Sequence, residues 1–357
     1  FFYFFIFLHN YSPYYYIMTY SMRIHLFFAL ITAFSFLACG GKNSATLQPN
    51  NPTATPTVEK VAVTFNADSA YASVQKQCDF GPRTPESAAH KQCGDYIVNQ
   101  FKHYQLQVTE QKTQVQTWDG KTLPCRNIIA AYKPEAEKRV LLCAHWDCRP
   151  WCDADPDEAN HKKPVMGAND GASGVAVMLE VARLLKDLQP AYGIDFICFD
   201  MEDYGAPYWG EESAPADGSD WCLGSQYWAQ NPHVAGYRAE YGILLDMVGG
   251  KDARFCREGY SLQYASHIVS KVWNAAETAG ANKYFLREDG TWALDDHLPI
   301  NQFLSIPTID IIPFLDGPEG GFSATWHTVN DTPENISREV LGAVGQTLIQ
   351  VLGSETF

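Results

Sequence analysis

Ile197-Cys198-Phe199-Asp200-Met201-Glu202-Asp203-Tyr204-Gly205 is the stretch whose reading decides the fold. With Ile194 and Phe196 before it, the run is short, apolar and rich in β-branched and aromatic residues, which predicts a buried strand. It ends abruptly in acids. Adjacent side chains cannot share a face of a strand or a helix. On a loop at a strand's end, Glu202 and Asp203 can diverge, one toward a metal and one toward a proton in transfer. Open α/β sheets bind their ligands outside the carboxyl ends of the strands. The partners are therefore sought at other strand ends.

Working outward, Val140 to Ala144 reads as a buried strand delivering His145 and Asp147. Asn169-Asp170-Gly171 opens a helix whose Val175, Met178, Leu179, Ala182 and Leu185 fall on one face, with Asp170 at the N-cap position. Tyr241 to Leu245 delivers Asp246. Thr308 to Ile312 is a further strand, and a glycine-rich loop leads on to Trp326-His327-Thr328. Upstream, Pro85 to Tyr104 has helical spacing, Leu106 to Trp118 alternates like an edge strand, and Asn127 to Tyr132 is another strand. Strands alternating with helices predict an α/β fold: one domain, with a mixed, mostly parallel open sheet flanked by helices on both faces.

The net charge of −15 over 357 residues excludes a nucleic-acid binder, which needs a basic surface. An apolar fraction of 46% suits a globular protein with a sizeable core. Phe1 to Tyr16 is aromatic-rich. Met22 begins M-R-I-H-L-F-F-A-L-I-T-A-F-S-F-L-A-C-G-G, one positive charge, an apolar core and then small residues, which reads as a secretory signal. Its end at Leu37-Ala38-Cys39 resembles a bacterial lipoprotein signal. The expectation is a leader over residues 1–39 cleaved before Cys39, a flexible tether over 40–57, and a catalytic domain over 58–357. The protein is thus expected to be exported, periplasmic, and held to a membrane only through a lipid anchor. Cys143 and Cys198 fall inside strands and read as buried thiols, while Cys148 and Cys152 flank R-P-W and could close a small loop.

Five strand-end segments carry ligand chemistry: His145/Asp147, Asp170, Glu202/Asp203, Asp246 and His327. Asp295, Asp296 and His297 add a sixth. Asp, Glu and His without thiolate suit a catalytic zinc with three protein ligands and an open position. Singly, each has a plainer reading: Asp170 a helix cap, Asp246 a loop acid, His327 a packed histidine. Their common place after strand-like runs is what favours a site.

The H-W-D at 145–147, N-D-G-A-S-G-V-A-V-M-L-E at 169–180, F-D-M-E-D at 199–203, L-L-D-M-V-G at 244–249, D-D-H-L-P at 295–299 and W-H-T-V-N-D-T-P-E-N-I at 326–336 resemble the zinc-aminopeptidase-like superfamily. Within it the chain resembles the animal-type (type II) glutaminyl cyclases of Bacteroidetes, from about Phe80 to about Leu352. That resemblance implies one zinc per chain on Asp170, Asp203 and His327, with Glu202, Asp246 and Asp295 catalytic. It also implies a substrate pocket walled by Trp326, with Trp209 and Trp292 as further candidates. The implied reaction converts the N-terminal glutamine of peptides and proteins to pyroglutamate with release of ammonia, by a monomer. The animal enzymes carry Glu-Glu where this chain has Glu202-Asp203, so the shorter Asp203 arm must draw metal or backbone closer. The alternative is a two-zinc aminopeptidase using His145, Asp170, Asp203, Asp246 and His327, with Asp147 behind them and Glu202 activating water. Asp295 discriminates: aminopeptidases of this type usually carry a small hydroxyl or neutral residue there, and two close carboxyls share a proton instead of binding a second cation. A non-catalytic binding lipoprotein would have lost one of Asp170, Glu202, Asp203 or His327, and all are present.

Overall fold

The computed structural model describes residues 59–251, 253–313 and 321–357, and among these eight strands, six in a main sheet and two paired separately, combine with six principal helices. The leader, Cys39 and nearly all of the tether expected from sequence lie outside the described residues. Chain order runs α1 (Ala67–Cys78), α2 (Ala88–His103), β1 (Gln107–Gln116), β2 (Thr122–Tyr132), β3 (Arg139–His145), α3 (Ala172–Leu188), β4 (Gly193–Phe199), α4 (Leu223–Gln230) and β5 (Tyr241–Leu245). It continues through β6 (Phe255–Arg257), α5 (Gly259–Ala279), β7 (Phe285–Asp289), β8 (Thr308–Ile311) and α6 (Arg338–Ser354).

The main sheet has the order β1-β2-β4-β3-β5-β8. β4, β3, β5 and β8 are mutually parallel, and β2 runs against β4 and β1. The mixed, mostly parallel α/β sheet expected from sequence is what forms. β1 is an edge strand, as its alternation predicts. β2 starts five residues earlier than the apolar run alone suggests, and passes through Pro124. Proline is tolerated because β4 joins β2 only from Ile128 onward, so Pro124 faces β1 alone and needs no second ladder bond.

Alternation along the strands divides the core in two. Leu142, Ala144, Phe196, Cys198, Ile243 and Ile309 pack with α1, α2, α3, α5 and α6 in the larger cluster. Leu141, Cys143, Ile197, Phe199 and Leu244 face the other way, against Trp228 and Ala229 of α4 and against Ile300 and Ile306. Burying both sides explains why β3, β4 and β5 read as unbroken apolar runs. Cys143 and Cys198 are buried thiols, one on each side of the sheet. Cys148 and Cys152 do not close a loop: both are free and buried, and Cys148 Sγ accepts from Arg83 N at 3.4 Å. Among the described residues, no helix is long and apolar enough to cross a membrane.

Candidate metal and catalytic site

The loops leaving β3, β4 and β5 converge with the start of α3 and the segment around His327. Asp170 is not the N-cap of α3. Gly171 takes that position with φ +93° and no side-chain cap bond. A Cβ there would meet the Asp147 carbonyl oxygen at 2.6 Å, so only glycine fits the turn. The turn frees the Asp170 carboxylate from the helix axis, and Oδ1 lies 2.9 Å from His145 Nε2.

Asp170, Asp203 and His327 come together as a buried set. His327 Nε2 lies 3.2 Å from Asp203 Oδ1 and 3.5 Å from Asp170 Oδ2. Asp170 Oδ2 and both Asp203 oxygens are buried without a hydrogen-bond partner. Buried charge is stable only when paired or bound to a metal, so oxygens and an imidazole nitrogen facing one another without donors fit a divalent cation. A second set, His145, Asp170 and Asp246, shares Asp170, with His145 Nε2 at 3.2 Å from Asp246 Oδ1. A third joins Glu202, Cys222 and Asp295.

The ligand loops are held from behind by acids with full hydrogen-bond sets. Asp147 accepts from Glu202 N at 3.2 Å and Asp203 N at 3.3 Å. Asp331 accepts from Asn169 N at 2.7 Å and Asp170 N at 3.0 Å. Asp153 lies 3.4 Å from His327 Nδ1 while taking both arms of Arg149 at 2.6 Å. That carboxylate fixes which imidazole nitrogen points at the ligand set. Met201, Cys222, Met247 and His327 all take positive φ, so left-handed backbone concentrates where these loops meet.

The acids are strongly perturbed. Burial, and then the neighbouring Asp203 and Asp295 against the relief of His145, raise Glu202 well above its ordinary value. Burial and then the charge of Asp246 push Asp295 up to about 7. Asp310, on β8 behind them, is also raised well above the ordinary range by burial, then by Asp295 and Asp246. Three carboxyls in one low-dielectric pocket share protons.

Trp326 stacks on His327 with ring centroids 3.7 Å apart and packs with Met247, Ala293 and Ile312. Trp292 is exposed and stands edge-on to Tyr260 at 4.7 Å. Trp209 sits in an aromatic group with Trp151, Tyr208 and His161, with Lys162 over its ring. Sequence reasoning missed Trp221, whose ring lies parallel to that of His327 (4°, 6.3 Å) and over the Arg149 guanidinium. A Cβ at Gly205 would meet Trp221 at 2.0 Å, so the glycine ending the opening stretch admits this ring. Trp221 and Asp295 border a cavity of about 380 Å³ with Tyr260, Leu294 and Phe303. Asp153, Asp331, Arg149 and Cys222 were missed as well. Arg149 and Asp153 lie farther along the loop that leaves β3, and their spacing carries no distinctive signature.

Acids and imidazoles gathered at the carboxyl ends of parallel strands make a candidate metal site in an α/β protein, beside a pocket for a small group. The sequence model of Peptidase family M28 matches residues 127–352, and the chain belongs to that family. A solved Bacteroides thetaiotaomicron glutaminyl cyclase bound to N-acetylhistamine is 50% identical, covering 82% of this chain and 99% of that one, with a TM-score of 0.79. A leucine aminopeptidase precursor from Bacteroides thetaiotaomicron VPI-5482 is 49% identical over 84% of this chain and 100% of that one, also at 0.79. Among curated relatives, Aminopeptidase YwaD of Bacillus subtilis is 29% identical over 74% of this chain, and the Bos taurus glutaminyl-peptide cyclotransferase 24% over 62%. The alignments span 52% and 64% of those two relatives' own lengths.

Proposed function

We propose that the protein is a zinc-dependent glutaminyl-peptide cyclotransferase, closing the N-terminal glutamine of peptides and proteins to pyroglutamate. The observation that carries this reading is the buried Asp295 carboxyl, which burial and then the charge of Asp246 push up to about 7. A carboxyl pair that keeps a proton disfavours a hard second cation on the His145–Asp170–Asp246 set and supplies a hydrogen-bond donor and acceptor for a substrate nitrogen. The half-identical glutaminyl cyclase, matched over almost its whole length, supports it.

Asp170, Asp203 and His327 would hold one zinc, whose chemistry there is Lewis-acid polarisation of the glutamine γ-carbonyl. The substrate α-amine attacks that carbonyl carbon, forming the lactam C–N bond. Glu202 takes the amine proton and returns it to the γ-nitrogen, which leaves as ammonia when its C–N bond breaks. The raised Glu202 value brings the acid closer to the pH at which it must both accept and give a proton. The Asp246–Asp295 pair holds the amine or the leaving nitrogen. Trp326 and Trp221 wall the folded glutamine side chain, with Trp292 near the rim. Since attack is intramolecular, the pocket's main task is to keep that side chain bent back. Export and lipid anchoring are carried by residues 22–39 alone.

The convergence of His145, Asp170 and Asp246 favours a second reading, a two-metal aminopeptidase. Supplying both a Gln-peptide and a Leu-anilide, with and without chelator, separates them. Chelator-sensitive ammonia from the first substrate alone is expected; arylamine from the second would establish the peptidase.

A further inference from the structure

We propose that Glu202, Cys222 and Asp295 form a second cation site, apart from the Asp170–Asp203–His327 set, which takes a thiophilic divalent ion such as cadmium or surplus zinc and stops turnover by occupying Glu202. One ligand atom from each of the three residues lies within 4.8 Å of the others. Cys222 Sγ is 3.4 Å from Glu202 Oε1. Two ligands at about 2.0–2.3 Å from a tetrahedral ion stand at about the Cys222–Glu202 separation from each other, and a small shift of Asp295 completes the set. Cys222 and Asp295 are 1% and 3% exposed, and Asp295 Oδ2 has no hydrogen-bond partner.

The backbone keeps the donors together. Cys222 N donates to the Glu202 carbonyl at 3.0 Å, and Leu223 N to that of Met201 at 3.0 Å. Cys222 precedes α4 in left-handed conformation (φ 55°) and makes no side-chain cap bond, so its thiol is not spent on the helix. The 380 Å³ cavity bordered by Trp221, Cys222 and Asp295 gives an ion a route in.

Ligand chemistry separates this set from the first. Asp170, Asp203 and His327 offer only oxygen and nitrogen, whereas a sulfur donor selects soft ions. Burial holds the Cys222 thiol well above its ordinary value, so the site fills only when an ion displaces the thiol proton. Binding replaces S–H by S–metal and releases H⁺, with no change of oxidation state. Occupancy rests on the geometry alone; the block on turnover rests on the reading of Glu202 as the base.

The test titrates zinc-loaded full-length protein with cadmium. It follows the ultraviolet thiolate-to-cadmium absorption, released zinc, and ammonia from a Gln-peptide relative to each variant's own cadmium-free rate. The wild type is expected to develop the band to one equivalent without releasing zinc, with turnover falling in step. Loss of a supporting hydrogen bond behind a metal ligand already costs about 10–100-fold in affinity. Losing the sulfur ligand itself in Cys222→Ser should therefore abolish the band and raise the inhibitory cadmium concentration by about tenfold or more. A full band in Cys222→Ser, no band in the wild type, or inhibition that tracks zinc release would overturn the site. A band without inhibition would leave the site standing and overturn the role given to Glu202. Should Cys222→Ser not fold, cadmium-edge X-ray absorption on the wild type decides: one sulfur neighbour supports the site and none overturns it.

Discussion

Asp195 and Asp203 are both buried acids of β4 and the loop it feeds, and they are treated in opposite ways. Near the start of the strand, Asp195 takes both arms of Arg139 at 2.6 Å and the Tyr237 hydroxyl at 2.7 Å. Just past its other end, Asp203 has two oxygens without a hydrogen-bond partner. Burial is common to both; satisfaction is not. A buried acid with its donors in place is part of the scaffold, whereas acids left without hydrogen-bond donors at the carboxyl ends of parallel strands await a cation or a substrate.

The sharpest break between the two ends is chemical. Glu202→Gln should lower ammonia release from a Gln-peptide by about 10²–10⁴-fold while zinc content, read by atomic absorption, stays at the wild-type level. Retained activity would show that the proton passes through another group. At the scaffold end, Arg139→Ala leaves Asp195 buried without its cation, with only the Tyr237 hydroxyl still donating to it. It should cost about 3–5 kcal/mol in denaturant unfolding with KM and zinc content unchanged. Asp203→Asn should do the reverse, losing zinc yet raising the melting temperature of the chelated protein, because a buried carboxylate without a hydrogen-bond donor is gone. Asp153→Asn touches neither end directly. It should weaken zinc by about 10–100-fold in competition with a chromophoric chelator, since His327 loses the carboxylate that orients it.

The smallest effect is on pH dependence. Burial first, and then nearby acid charge, raise Asp295 and Asp331 from 3.8 to about 7. An acid whose folded value lies above its unfolded one favours the folded state while protonated. The contribution is full below about pH 4 and is lost as pH rises through about 7. Chelated protein should therefore melt at falling temperatures over that window. Zinc-loaded protein should melt higher by a margin that grows with pH, because metal and protons compete for the same acids. A chelated protein that gains stability across the window would contradict these shifts.

The sheet was legible because its parallel strands are buried on both sides and so read as apolar runs of strand length. β2 extends beyond its apolar run, from Asn127 back to Thr122, because that part pairs with β1 alone and is not held to the buried pattern of the central strands. Asp170, Glu202, Asp203, Asp246 and Asp295 could be picked out because each follows a strand or sits in a recognisable motif. What sequence could not give was support from a distance. Asp331 reaches Asp170 from 161 positions away, and Trp221 meets His327 only because Gly205 leaves room. Asp before a helix ordinarily caps it, so the position expected for Asp170 is one residue off. Only the left-handed Gly171 shows that the helix begins a residue later.

Counting zinc tightly held by the full chain after dialysis against zinc-free buffer, in the wild type and in His327→Ala, tests the single-metal site most directly. One ion per chain in the first and none in the second is the expected result. Two ions in the wild type, with one kept when both His327 and Cys222 are replaced, would mean that His145, Asp170 and Asp246 hold a metal of their own.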